Sequence, residues 1–564
     1  MISLSTSPVR RVLEIPELLD MIFGFLDNSS NASNASVCKR WSEIALDTLW
    51  REVYDLYRLL SILSELRRSG EGEDSPYIFA VAPDANDWQR FEKYSRRVRR
   101  LSFHAHGDQP PLSPTVFDDV ARTRTSLNIL PNMNTLSWHA SLPLSVMFMH
   151  SNIKCFVLWL PDEYEAPNAP LPFFRDIASR MANLTCLDIR TDIAMHSIED
   201  NVIFLLRSLK KLRKVIFPRF QFTTRIAETV AELEDLGCIE FQYLPEQGCG
   251  DPADTEVLRP TLRTGAFPSL CDLSMTVTLQ DATLFMSQAA APTNLTALYM
   301  DSQLVETPSA VQELLTVLAE NCQLLESLRI VTYIGDIDTT DELTREDYIN
   351  FSNLRALLNF PNLTIFEILH QYPLDLSLDD IEQLARSWPS LRNLILNNEP
   401  VESSRCPLTL MALLPFAQHC PDLEQLGLFL NASSADLPET YGAEVPTSKP
   451  FAKLQKLSMG VSLISEPGPV ALFLSQVCPL HTYIEYGVTW ETHGLLDALF
   501  LSIAERCKRW EKVAELLPVM TKLRMQERER TRLLTAELED LRMRSAVLMD
   551  RVGGRASGDS CVML

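Results

Sequence analysis

One spacing of apolar positions recurs along most of the chain. An apolar anchor is followed by two unconstrained residues, an apolar residue, one unconstrained residue and a further apolar residue. The anchors are Val98, Met133, Ile153, Leu184, Leu212, Leu236, Leu270, Leu295, Leu325, Leu363, Leu391, Leu423 and Leu454, thirteen copies separated by 20 to 38 residues. The last two apolar positions, two apart, point to one side of a short strand. The anchor packs in the turn before it. The remainder of each copy returns the chain, often as a helix, as in Val311–Leu318 and Ile381–Ala385. Pro and a small polar residue often stand before the anchor, as in Phe267-Pro268-Ser269-Leu270 and Trp388-Pro389-Ser390-Leu391. Repetition on this scale predicts a solenoid of the α/β class over residues 96–490. Thirteen strands at ~4.8 Å would make a sheet roughly 60 Å long, a surface suited to protein recognition.

The ends follow a helical period. Within residues 12–54, Pro16 suits a first helical turn, and Leu18, Leu19, Ile22, Phe23 and Leu26 form one apolar stripe. Asp27-Asn28-Ser29-Ser30 reads as a stop and turn. Val37, Cys38, Trp41, Ile44 and Ala45 form a second stripe, and Leu49, Trp50 and Val53 a third stretch. A block of ~40 residues cannot bury all of these alone. The surplus is either a partner surface or a cap on the next domain, and periodicity leaves both open. Residues 55–95 read as a linker, with acid, Gly and Pro mixed over 69–87. Residues 491–550 read as a C-terminal helical segment. Leu534, Leu541 and Leu548 recur every seven residues with Leu538 between, which fits a capping or protruding helix and equally helix-mediated self-association. Residues 551–564 read as a flexible tail.

The N-terminal block resembles the F-box, the helical motif of substrate receptors in cullin-based ubiquitin ligases. The resemblance rests on Ile15-Pro16-Glu17-Leu18-Leu19, Ile22-Phe23, Leu26-Asp27, Val37-Cys38-Lys39-Arg40-Trp41 and Leu49-Trp50, in the family's order and approximate spacing. It implies docking on a Skp-type adaptor and, through it, a cullin. The family's adaptor contacts map onto Ile15, Pro16, Leu18, Leu19, Ile22, Val37, Cys38 and Trp41. Asn28–Ser36 departs from the pattern, being NSSNASNAS where the family has larger apolar residues. The repeated phrase resembles the leucine-rich repeat, which implies parallel strands inside and helices outside, with an irregular spacing here. Together the two resemblances identify a fungal-type F-box receptor with a repeat array.

Charge and composition narrow the function. Lys and Arg number 51 against 74 Asp and Glu, a net charge of −23. Nucleic acid binding needs a basic stripe, and the basic clusters are local, at Arg96–Arg100 and Arg524–Arg532. The 12 cysteines include no CxxC pair, and Cys155, Cys186 and Cys271 stand in apolar runs, so they read as buried reduced thiols of an intracellular protein, cytoplasmic or nuclear. The start lacks a signal-peptide core, and no window suggests a transmembrane helix. Asn-x-Ser/Thr triplets at Asn28, Asn183, Asn294 and Asn362 read as chance matches. Segments 245–258, 334–350 and 431–450 are acidic insertions, either solvated loops or selectors of a basic substrate segment, the latter testable by charge reversal at Asp336, Asp338, Asp341 and Glu342.

No catalytic motif, cofactor loop or metal-spaced cluster occurs; His104 and His106, the closest His pair, lack partners. The chain is expected not to be an enzyme and to use neither cofactor nor metal. Cys561-Val562-Met563-Leu564 fits a C-a-a-X prenylation box, with weak membrane association only if Cys561 is lipidated. The expected function is the substrate-recognition subunit of a Skp–cullin–F-box ubiquitin ligase, holding an unidentified protein substrate on the repeats. The alternative is a repeat scaffold without a ligase, tethered by a prenylated C-terminus.

Overall fold

A computed structural model describes residues 12–13, 15–72, 75–105, 110–166, 168–332, 344–401, 406–433, 449–490 and 497–556. The chain forms two compact units, Met1–Met300 and Asp301–Leu564. Seventeen parallel strands occur among the described residues, nine beginning in the first unit and eight in the second, where two of the eight form a separate short pair, Asn431–Ala432 with Leu463–Ile464.

The first unit opens with three helices: α1 (Pro16–Gly24), α2 (Asn28–Asn34) and α3 (Lys39–Arg51). α3 runs straight into an edge strand, Glu52–Val53, which pairs in parallel with Arg100–Leu101. The helical block is thereby fixed to the end of the sheet. The strands then follow chain order, Arg100–His104, Thr135–His139, Cys155–Trp159, Cys186–Arg190, Lys214–Phe217, Cys238–Phe241, Asp272–Thr276 and Ala297–Asp301. The second unit holds Ser327–Val331, Ile365–Leu369, Asn393–Leu396, Gln425–Leu428, Lys456–Ser458 and Tyr483–Glu485, also in chain order.

Every one of the thirteen repeated phrases carries a strand that starts two residues after its anchor, and every anchor is buried. The second residue of each strand, apolar in every case, continues one in-register ladder. In the first unit this ladder is Leu101, Leu136, Phe156, Leu187, Val215, Ile239 and Leu273. In the second it is Leu328, Phe366, Leu394, Leu426, Leu457 and Ile484. Register is fixed because a slip of one residue would turn these side chains out of the core.

The polar residues flanking each anchor tie one repeat to the one before. Asn132, Asn152, Asn183 and Asn362, each just before an anchor, donate from Nδ2 to the carbonyls of Arg96, Pro131, Ser151 and Gln323. In each case the acceptor lies two residues before the previous anchor. Thr185, Thr296 and Thr364, just after an anchor, donate their hydroxyls at 3.0–3.1 Å to Lys154, Cys271 and Glu326 carbonyls. The Asn-Leu-Thr triplets at 183, 294 and 362 therefore have a structural reason where the sequence suggested chance: turn carbonyls of a solenoid need donors from the next turn.

Three expectations change. The segment 55–95, expected as a linker, is folded: α4 (Leu56–Leu63) and α5 (Ala85–Ser95) flank an antiparallel pair, Leu66–Arg68 with Tyr77–Phe79. Asp84 and Asp87 form a capping box on α5, a start signal that outweighs the local Gly and Pro. The insertion 245–258 is half exposed, Glu246 and Glu256 included, but it is pinned to the sheet at Gln247. Gln247 is fully buried and donates to Asp188 Oδ1 (3.0 Å) and Ile189 O (2.7 Å). Gly248 has φ +81°, and a Cβ there would meet the Thr191 carbonyl at 2.2 Å. The thiols of Cys155 and Cys186 are half-buried and Cys271 is exposed, because they sit one or two residues after an anchor, where side chains leave the core. No disulfide joins the eleven described cysteines.

The second unit ends in α6 (Pro467–Val477) and the long α7 (Asp497–Ala556), which continues through Pro518. Trp510, Val513 and Leu517 of α7 are buried. Trp510 Nε1 donates to Ser462 O at 2.9 Å, and Arg509 to Ile464 O at 2.7 Å.

Candidate functional site

The helical block builds a small core and leaves an apolar face. Leu19, Phe23 and Ala45 are buried together, with Leu13, Ala35, Trp41 and Ile44 packed against them. Phe23 and Trp41 meet edge to face at 5.5 Å. Residues 19 and 23 share one side of α1 by the 3.6 period; Ile15, Leu18 and Ile22 lie on the next. That second side is open: Ile15, Met21, Ile22 and Leu26 are exposed, and Phe25, just past the helix, is 89% exposed. Val37, at the entry to α3, is 60% exposed.

The residues expected to contact an adaptor divide accordingly. Ile15, Pro16, Ile22, Val37 and Cys38 are exposed, and Leu18 and Trp41 half-buried. Leu19 is completely buried, so it holds the block together and offers nothing to a partner. Met21 and Phe25 were not singled out by the sequence; both follow from continuing the Leu18–Ile22 stripe past the buried one.

Asp27-Asn28-Ser29-Ser30, expected as a stop and turn, instead opens the helix α2, Asn28–Asn34, within the stretch that departs from the family's pattern. Asp27 caps α2 by accepting the Ser30 N–H at 2.8 Å, and hydrogen bonding from the Ser30 side chain and then its backbone holds the Asp27 carboxyl below the usual range. Asn31 is buried and donates to the Phe23 carbonyl at 2.9 Å and the Leu26 carbonyl at 3.3 Å. One amide thus adds a second bond to the Phe23 carbonyl, which already accepts the Leu26 N–H at 3.1 Å, and serves the Leu26 carbonyl just beyond α1. The short polar stretch supplies capping chemistry where bulk was expected. Arg97 secures the block to the repeats through ion pairs to Glu43 and Asp47, and its Nη1 also donates to Glu43 O at 2.9 Å.

On the side of the first unit's sheet away from the ladder core, polar and aromatic residues line up across strands. His139 stacks on Trp159 at 3.9 Å, and the Arg190 guanidinium lies 5.3 Å from the same ring. His104 meets His139 edge-on at 5.6 Å, and burial holds the His104 imidazole below its ordinary pKa, so it is neutral near pH 7. Further along, Cys238 Sγ is 3.5 Å from Asp272 Oδ2 and 3.8 Å from Glu240 Oε2. Lys214 Nζ already pairs with Glu240 at 2.7 Å, and burial pushes the Cys238 thiol far up, which keeps it protonated. Nothing in the linear order points to this grouping, since Cys238 and Asp272 lie 34 residues apart and meet only through strand register.

Several expectations lie outside the described residues: His106, the charge-reversal positions Asp336, Asp338, Asp341 and Glu342, most of the 431–450 insertion, and Cys561. No helix among the described residues is long and apolar enough to cross a membrane.

The F-box-like family model matches residues 16–55, so the chain carries an F-box-like domain over α1 to α3 and the edge strand. No curated protein matches the chain. Among solved structures, a chain from the crystal structure of the Rad7 and Elc1 complex in yeast aligns at 14% identity, covering 88% of this chain and 98% of that chain with a TM-score of 0.32.

Proposed function

We propose that the chain is the substrate-recognition subunit of a Skp–cullin–F-box ubiquitin ligase. The F-box-like domain docks a Skp-type adaptor, the adaptor brings a cullin, and the repeats hold a protein substrate. The observation that carries this reading is the open apolar side of α1 within the matched domain: Ile15, Leu18, Met21, Ile22 and Phe25, continued by Val37. Large apolar side chains grouped at the surface are costly in water and mark a partner site. The chain itself performs no chemistry in this reading. It raises the effective concentration of a substrate near the transfer machinery. A fixed anchoring of the F-box at one end of the sheet suits that role, because Glu52–Val53 and Arg97 hold the block in place. The protein acts inside the cell, in the cytoplasm or nucleus.

The test is affinity purification of the full chain, scored for adaptor and cullin. Recovery of both, lost on deleting residues 12–54, supports the receptor. Recovery of other proteins with neither adaptor nor cullin supports the scaffold reading instead. Proteins that accumulate when residues 12–54 are deleted would be the substrates.

A further inference from the structure

The long helix α7 keeps one heptad register across two very different environments. Positions 510, 517, 524, 531, 538 and 545 form one row, and 513, 520, 527, 534, 541 and 548 the row beside it. In the first part these rows face the protein: Trp510, Val513 and Leu517 are buried, and Arg524 Nε still reaches Ser475 Oγ at 3.2 Å. Beyond that point the same rows carry Leu534, Leu538, Leu541 and Leu548, and each is more than half exposed. A seam that is core over one stretch is thus presented bare over the next. Burying leucines at alternating spacings of three and four is the geometry of knobs packed into holes between two helices.

We propose that this exposed seam pairs in parallel with the same seam of a second copy of the chain. The charge pattern selects a second copy over another partner, and the packed start of the helix makes it ready for one. First, the flanking charges are self-complementary. In a parallel pair, Glu537 on one helix lies against Arg542 of the other, and the two-fold axis repeats that contact. Neither residue has an ion-pair partner in its own chain among the described residues, whereas Arg530, Arg532 and Arg544 pair within the helix with Glu527, Glu529 and Asp540. Second, the helix is already nucleated. A short heptad stretch is marginal as an isolated peptide, but here the ordered, packed portion from Trp510 to Leu517 sets the helix before any partner arrives. Thr531 and Ser545 stand in the row that carries Leu538, and Glu527 in the row that carries Leu534, so the pairing is confined to Leu534–Leu548, is of moderate strength and depends on concentration. This proposal is independent of adaptor docking, since it uses only α7.

The experiment is light scattering on the purified full chain over a dilution series, with circular dichroism to follow folding. A dimer that dissociates on dilution is expected. Leu534→Lys combined with Leu541→Lys changes only exposed positions, so the helical signal should persist while the dimer is lost. Glu537→Arg alone should weaken association about tenfold, because two attractions become two repulsions. Adding Arg542→Glu should restore it to within about threefold of the parent. A parent chain that is monomeric at all concentrations, including one recovered on vesicles instead, overturns the proposal. A dimer that survives the double lysine variant also overturns it. Failure of the Glu537→Arg, Arg542→Glu pair to recover overturns the parallel pairing.

Discussion

Asn31 gives the sharpest test of how the helical block is held together. Its Nδ2 group donates to the carbonyls of Phe23 and Leu26, and the side chain is 1% exposed. Replacement by Ala removes both bonds; the Phe23 carbonyl keeps the Leu26 N–H at 3.1 Å, and Leu26 itself is exposed. Each net bond contributes about 1 kcal/mol, so the two together contribute about 2 kcal/mol. The Asn31 Oδ1 atom is buried without a partner, so removing the side chain offsets part of that loss. The expected net loss is up to about 2 kcal/mol, equivalent to up to roughly thirtyfold in the local opening constant. Hydrogen exchange of the full chain reads this locally: amides of Pro16–Arg51 should exchange up to roughly thirtyfold faster, with those of the second unit unchanged. Asn31→Asp keeps the shape but has no amide donors, and it should lose at least as much. Unchanged exchange in both variants, or a loss spread evenly over the repeats, would refute the bridging role.

Other outcomes follow from the same structure. Leu391→Ala empties a fully buried anchor and should cost about 2–5 kcal/mol in chemical denaturation, while Leu378→Ala, exposed, should cost less than about 0.5 kcal/mol. Gly248→Ala should destabilise the first unit by more than about 1 kcal/mol, because φ is positive and a Cβ has no room beside Thr191; an unchanged unfolding midpoint would contradict this. Burial pushes the Glu399 carboxyl up to about 7, against the pull of the Thr489 N–H and hydroxyl. A raised folded pKa means stability is fullest below the ordinary carboxylate range and falls as pH rises toward 7, by roughly 3 kcal/mol in all. Glu399→Gln should flatten that fall in pH-dependent unfolding of the second unit, and a curve of unchanged slope would count against the assignment.

The repeats were legible because their signal is redundant. A buried anchor and two inward residues recur thirteen times, and each phrase became a strand at the same offset. The edge strands were not legible for the opposite reason. Glu52–Val53 is two residues long, and Tyr483–Glu485 follows Leu480, which is 44% exposed and so is no buried anchor. In the candidate site the stripe on α1 was readable, but the side of it that faces inward was not. Leu18 and Leu19 are equally apolar, and only packing against Phe23 and Ala45 sends Leu19 inside. The Asn28–Asn34 helix was hidden because its residues have weak helix propensity, and its formation depends on a cap from Asp27 and a bridge from Asn31 that only the tertiary arrangement completes. The segment 55–95 was misread from composition, which the capping box at Asp84 and Asp87 outweighs.

The most direct measurement is the affinity of the purified chain for a purified Skp-type adaptor, compared with a variant carrying Ile22→Asp and Phe25→Asp. Both side chains are exposed, so the variant should fold and keep its circular dichroism. Burying two such side chains contributes about 3–6 kcal/mol, so the account predicts binding by the parent and a loss of at least about a hundredfold in the variant. Equal affinity of the two proteins, or no adaptor binding by the parent, would contradict it.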